Sequence, residues 1–239
     1  MFCGYLWGLN PLIRELFYPG PLGDPVAQAA IYASALLAII GVHEFGHKLA
    51  CRLEGLDATP PYFIPGPPPL GTFGAVIMQR EPPINRDQLF DLGFSGPLTG
   101  FLASVAVAAI AIASAQPAPI ESIEEWAKQF YETPIGRFRC VGALPGLGPP
   151  IMAILLSARP VPEGHELLLP PIGLAAWIGF LITFLNLMPI WQLDGGHIAR
   201  ALFGERGHRA ASWIGIAALF LLGFWLFSLL VLLLMLGHR

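Results

Sequence analysis

The apolar positions of this chain come in long blocks, not in the alternations or narrow stripes of a water-soluble fold. Residues 26–42 (VAQAAIYASALLAIIGV) carry no charge and the apolar run resumes after Lys48, so a first span is expected over about 26–50. Further blocks predict spans over about 93–115, 172–190 and 211–236. Each is long enough to cross a hydrocarbon core of about 30 Å. A fifth apolar stretch, 141–157, holds Pro145, Pro149 and Pro150 and is expected to be re-entrant or interfacial. The pattern predicts an all-α polytopic membrane protein, a bundle of about four to six transmembrane helices. Residues 1–239 are read as a single membrane-embedded domain. Its parts are an interfacial segment over 1–25, a core over 26–204 and a C-terminal span over 211–236. In the first segment Arg14 and Glu15 interrupt the early apolar stretch, unlike a signal peptide, and Tyr5, Trp7 and Tyr18 suit a membrane interface.

Composition agrees. Charged residues make up 12% of the chain, about half the share of ordinary soluble domains, which supports a lipid bilayer as its surroundings. The net charge of −3 gives no basic face for a nucleic-acid partner. Cys3, Cys51 and Cys140 are far apart and form no CxxC, so neither a disulfide framework nor a thiolate metal site is suggested. Loops 51–92 and 191–210 fall on one side of a four-span chain. The clustering of Arg200, Arg206 and Arg209 in a short loop leans that side toward the cytoplasm.

The chemistry begins with His43-Glu44-Phe45-Gly46-His47 inside the first span. At i and i+4 on a helix, both imidazoles leave one face and can grip one zinc ion, with Glu44 beside them as general base. Ionisable groups at membrane depth are costly unless paired or metal-bound. Two histidines make an incomplete site, because catalytic zinc normally takes three protein ligands. Asp194 is the preferred third ligand: Pro189 cannot continue a helix and Gly195-Gly196 allow a sharp turn, so its carboxylate can be aimed back into the bundle. His197 is the rival third ligand, and a helix N-cap over 195–203 is the alternative role for Asp194. Gly93, Gly96 and Gly100 stand at a spacing that favours close helix packing.

HEFGH on one span and NLMPIWQLDGGH after another together resemble the site-2 protease family of intramembrane zinc metalloproteases (peptidase family M50). Residues 60–77, PPYFIPGPPPLGTFGAVI, are similar to its archaeal, cyanobacterial and plastid branch. The resemblance implies one zinc per chain held by His43, His47 and Asp194, Glu44 as base, and membrane-anchored protein substrates cut within or near their transmembrane segment. The PDZ or CBS domains of other branches have no room here. The oligomeric state stays open.

Two further sites follow from the chemistry such an enzyme needs. A tetrahedral oxyanion calls for a donor besides zinc, and Asn186, polar in an apolar span, is the candidate; an interhelical hydrogen bond is its alternative role. A substrate helix hides its carbonyls in its own hydrogen bonds, so the cleaved stretch must be held extended. Gly71, Thr72, Phe73, Gly74, Ala75 and Val76 can offer an edge strand for that purpose, within a membrane-embedded β-hairpin or edge strand at about 62–79. A plain proline-rich connection is the alternative. Three rival functions arise from the residues. Gly93-Phe94-Ser95-Gly96 has the GxSG form of a rhomboid-type serine protease, yet no histidine stands in a later span to serve Ser95. A zinc transporter needs polar residues through the full membrane depth. A silent scaffold has no use for Glu44. His165 and His208 are expected in a polar loop and a basic connector.

Overall fold

A computed structural model describes residues 25–59, 62–65, 72–76, 83–121 and 150–237 of the chain. The described part is mostly helical: α1 Pro25–Leu53, α2 Arg86–Ser114, α3 Pro150–Ser157, α4 Pro171–Asn186, α5 Asp194–Leu221 and α6 Trp225–Gly237. Four short strands accompany them, β1 Tyr62–Pro65, β2 Thr72–Val76, β3 Gln116–Pro119 and β4 His165–Leu168. Strand β1 bonds to β2 and β3 to β4, giving two two-stranded sheets. Residues 1–24, 66–71, 77–82 and 122–149, which include the expected interfacial segment, Gly71 and most of the 141–157 stretch, lie outside the described residues.

Among the described residues two helices are long and apolar enough to cross a membrane, Ala30–Leu53 and Arg86–Ser114. Where spans are expected over 172–190 and 211–236 stand the shorter apolar helices Pro171–Asn186 and Trp225–Gly237. Helix α4 stops at Asn186, because Pro189 lacks a backbone N–H and disfavours helical backbone at Met188. The last apolar block is cut at Gly223, whose φ of 90° an ordinary side chain resists. Beyond it α6 packs on α5: Ser228 Oγ donates to the Ile216 carbonyl at 2.9 Å, and Val231 joins a buried cluster with Ile216 and Leu219.

The ends of α1 and α2 are set by local chemistry. Helix α1 ends in a Schellman turn: Gly55 has φ 71°, and the N–H of Leu56 reaches the Cys51 carbonyl at 2.8 Å. Helix α2 starts seven residues before the expected 93. Asn85 Oδ1 caps the helix by accepting from the Gln88 N–H at 2.8 Å, and Gln88 Oε1 reaches back to accept from the Ile84 N–H at 2.9 Å, one residue before the N–H that a capping box uses.

The chain divides into two compact units. The first comprises Met1–Ile40, Phe63–Gly74 and Leu102–Phe180. Here small residues let helices approach closely: a Cβ on Gly179 of α4 would lie 3.0 Å from Ile39 Cγ2 of α1 and would meet Ser104 of α2. Strands β3 and β4 pair antiparallel, Gln116 with Leu168 and Pro119 with His165. In so small a sheet both strands are edges, which tolerates Pro117 and Pro119. His165 therefore stands in a strand and not in a loop. Arg159 donates to the carbonyls of Ile112 and Ala113 and so satisfies the last turn of α2. The second unit, Gly41–Tyr62, Ala75–Phe101 and Leu181–Arg239, holds all the candidate metal ligands.

Helix α5 is not continuous. Gly204 has φ 68° and ψ −175°, a region open almost only to glycine, and divides the helix into 194–203 and 205–221. The basic segment expected to connect two spans is thus helical, His208 included.

Candidate metal centre

His43 and His47 lie one turn apart near the C-terminal end of α1, as their spacing dictates, and both rings face α2. The glycine stripe of α2 makes room for them. A Cβ on Gly100 would lie 2.8 Å from His43 Nδ1, and one on Gly96 would overlap the His47 ring. Gly93 plays the same part for α5: a Cβ there would lie 2.7 Å from the Asp194 carbonyl oxygen and 3.0 Å from His197 Cβ. The stripe is therefore a cradle for the candidate ligands, beyond a contact between helices. Thr99 ties α2 to α1, its Oγ1 lying 3.0 Å from the Val42 carbonyl oxygen.

The three expected ligands converge. Asp194 Oδ2 is 3.2 Å from His43 Nε2 and 3.3 Å from His47 Nε2, and the two Nε2 atoms are 3.2 Å apart. A tetrahedral zinc with ligand bonds of about 2.0–2.1 Å separates its ligand atoms by roughly 3.3 Å. The triangle matches that spacing on all three edges. Without a cation, a carboxylate and two imidazole nitrogens have little reason to converge this tightly in so buried a place. Among the described residues this is the one group of three His, Cys, Asp or Glu side chains placed to share a metal; His197 is not part of it. Nor does Asp194 act as a helix N-cap, since it occupies the first turn of α5 and the cap residue is Leu193.

The two rings are held differently. His47 Nδ1–H donates to the Leu92 carbonyl at 2.7 Å, which turns Nε2 toward the triangle. His43 Nδ1 is buried with no hydrogen-bond partner among the described residues, and its ring is fixed by packing against Gly100. Asn186, the last residue of α4, places Nδ2 3.3 Å from His43 Nε2, so its amide borders the triangle. Glu44 is half-buried on the same turn of α1 and interacts electrostatically with His43, His47 and Asp194. Ser95 Oγ donates to the Leu92 carbonyl of its own helix at 3.2 Å. Thr72–Val76 form β2, while Gly71 lies outside the described residues.

The turn before Asp194 is strained. Trp191 has φ 42°, the left-handed region, which costs a bulky residue about 1–2 kcal/mol. It stands at the second position of a turn closed by the Leu193 N–H and the Ile190 carbonyl at 3.0 Å. Ile190 is fully buried against α5, a Cβ on Gly215 lying only 2.6 Å from its Cγ1. Sequence reasoning missed this turn's supports, because its partners Ser212 and His208 follow it by 21 and 17 residues.

Comparison with known proteins supplies the remaining observation. The model of peptidase family M50 matches residues 31–230. The chain belongs to that family. The resemblance carried by HEFGH and LDGGH is thereby borne out. Among curated proteins, the chain is 33% identical over 204 residues to the probable chloroplastic zinc metalloprotease EGY2 of Oryza sativa subsp. indica, covering 83% of this chain and 34% of that one. It is 30% identical over 222 residues to the probable chloroplastic zinc metalloprotease EGY1 of Arabidopsis thaliana, covering 90% and 36%. The chain thus spans about a third of the length of these relatives. No solved structure matches it.

Proposed function

We propose that this M50 protein is a zinc-dependent endopeptidase of the membrane, hydrolysing a peptide bond within or near the transmembrane segment of membrane-anchored substrates. The observation that carries the reading is the triangle of His43, His47 and Asp194, whose edges of 3.2–3.3 Å fit one tetrahedral zinc, with both histidines on a helix long and apolar enough to span. Family membership and the zinc metalloprotease names of the relatives support the same cofactor.

When bound, zinc supplies a Lewis acid that polarises the scissile carbonyl and acidifies water toward a pKa of about 7. The chain's own residues do the rest. The Glu44 carboxylate takes a proton from the attacking water as its oxygen bonds to the carbonyl carbon. It then gives that proton to the leaving nitrogen as the C–N bond breaks. The Asn186 amide N–H, at the edge of the triangle, donates to the developing oxyanion. Strand β2, Thr72–Val76, holds the substrate extended by backbone pairing. The remaining apolar helices make the protein polytopic, with the centre nearer the cytoplasmic side.

The test is cleavage of a membrane-anchored substrate in vesicles by wild type and Glu44→Gln, with zinc quantified in both. The variant should keep about one zinc per chain and lose cleavage by at least ~10²-fold, since an amide cannot serve as the base. Equal cleavage by the two proteins would refute the mechanism.

A further inference from the structure

The backbone of Trp191 has both of its polar groups engaged from one distant place. Its N–H donates to Ser212 Oγ at 3.0 Å, and its carbonyl accepts from His208 Nε2 at 2.9 Å. Ser212 Oγ in turn donates to the His208 carbonyl at 2.9 Å, so the two side chains, one helical turn apart, form a single grip. Trp191 lies three residues before Asp194. Three extended residues reach at most about 10 Å. Along an unbroken helix Ser212, eighteen residues after Asp194, would stand roughly 27 Å away. The contact exists only because α5 turns back at Gly204, where the backbone conformation is one that glycine alone accepts readily.

We infer that His208 and Ser212 are positioning residues for the metal centre: they clamp the left-handed Trp191 turn from the second half of α5 and so fix where the Asp194 carboxylate points. This rests on the zinc reading proposed above. The local bond across the turn, from the Leu193 N–H to the Ile190 carbonyl, leaves both polar groups of Trp191 to be held by His208 and Ser212. The clamp also explains the break at Gly204. A Cβ there would meet nothing nearer than Arg86 Nη2 at 3.6 Å, so an alanine has room, and its penalty comes from the backbone alone. Trp191 stands outside the triangle, and neither His208 nor Ser212 belongs to the group placed to share a metal. Their action runs through the backbone.

Removing such support typically costs 10–100-fold in metal affinity. The experiment measures zinc affinity of the full chain by competition with a chromophoric chelator, the visible spectrum of the Co2+-loaded chain, and hydrogen exchange of 187–193 in the metal-free chain. Ser212→Ala, His208→Ala and Gly204→Ala should each weaken zinc by about 10–100-fold, alter the Co2+ bands and speed exchange of the turn. Ser212→Thr and His208→Gln, which retain a hydroxyl and an N–H at the required places, should restore affinity, spectrum and protection. The rescue variants keep the test decisive if an alanine variant fails to fold. Wild-type affinity and Co2+ bands in Ser212→Ala would overturn the clamp while leaving the zinc reading intact. A wild-type chain that binds no zinc would overturn both.

Discussion

The two halves of the candidate metal centre are built on different principles. His43 and His47 ride on a continuous helix, where a spacing of four residues puts both rings on one face, and the glycines of α2 need only leave room for them. Asp194 stands in the first turn of a helix, after a strained turn gripped by residues 17 and 21 positions beyond Trp191. One half is held by local periodicity, the other by a long-range backbone clamp. Damage should therefore travel differently. The histidine half is vulnerable to added volume, the aspartate half to lost hydrogen bonds.

The comparison can be broken most severely at the ligands. His43→Ala, His47→Ala and Asp194→Ala should each reduce zinc occupancy to background and abolish cleavage, leaving two protein ligands where catalytic zinc uses three. Retained zinc in Asp194→Ala with loss in His197→Ala would reassign the third ligand. Next comes volume. Gly96→Ala should weaken zinc by on the order of 10²-fold, because its methyl would occupy the space of the His47 ring. Gly237→Ala, with nothing within 4 Å, should be silent in the same competition assay. Away from the metal, Ala75→Pro in β2 removes one backbone N–H and should cut turnover of a membrane substrate by on the order of tenfold, with zinc content unchanged. Unchanged turnover would reduce β2 to a connection. The smallest effect is expected at Thr99→Val, which deletes the hydroxyl facing the Val42 carbonyl. Unfolding should show a loss of about 0.6–1 kcal/mol with zinc affinity near wild type.

The same division decides what the sequence revealed. The His43–His47 pair and Glu44 were legible because helix geometry fixes their relation within one turn. Asp194 was legible by chemistry, as a carboxylate stranded among apolar residues, but the turn that aims it lies at Trp191, while Gly195 and Gly196 are helical and leave room for the carbonyls of Leu187 and Trp191. The starts and stops of the helices were partly legible. Asn85 and Gln88 carried a capping signal hidden by the hydrophilic look of 85–92, and Gly223 cut an apolar block that hydropathy alone joins. The clamp was not legible. A histidine and a serine in a basic stretch gain their role only because Gly204 turns the helix back, which no periodicity announces. The pairing of β3 with β4 was equally hidden, because its prolines argue against a strand and its partner lies 46 residues away at the closest register pair.

Zinc K-edge X-ray absorption on the purified full chain tests the central claim most directly, because it counts imidazole ligands around the metal. Two imidazoles and oxygen donors at about 2.0–2.1 Å are expected, with the carboxylate contribution lost or zinc absent in Asp194→Ala. A site with three imidazoles, or with sulfur in the coordination shell, would contradict it.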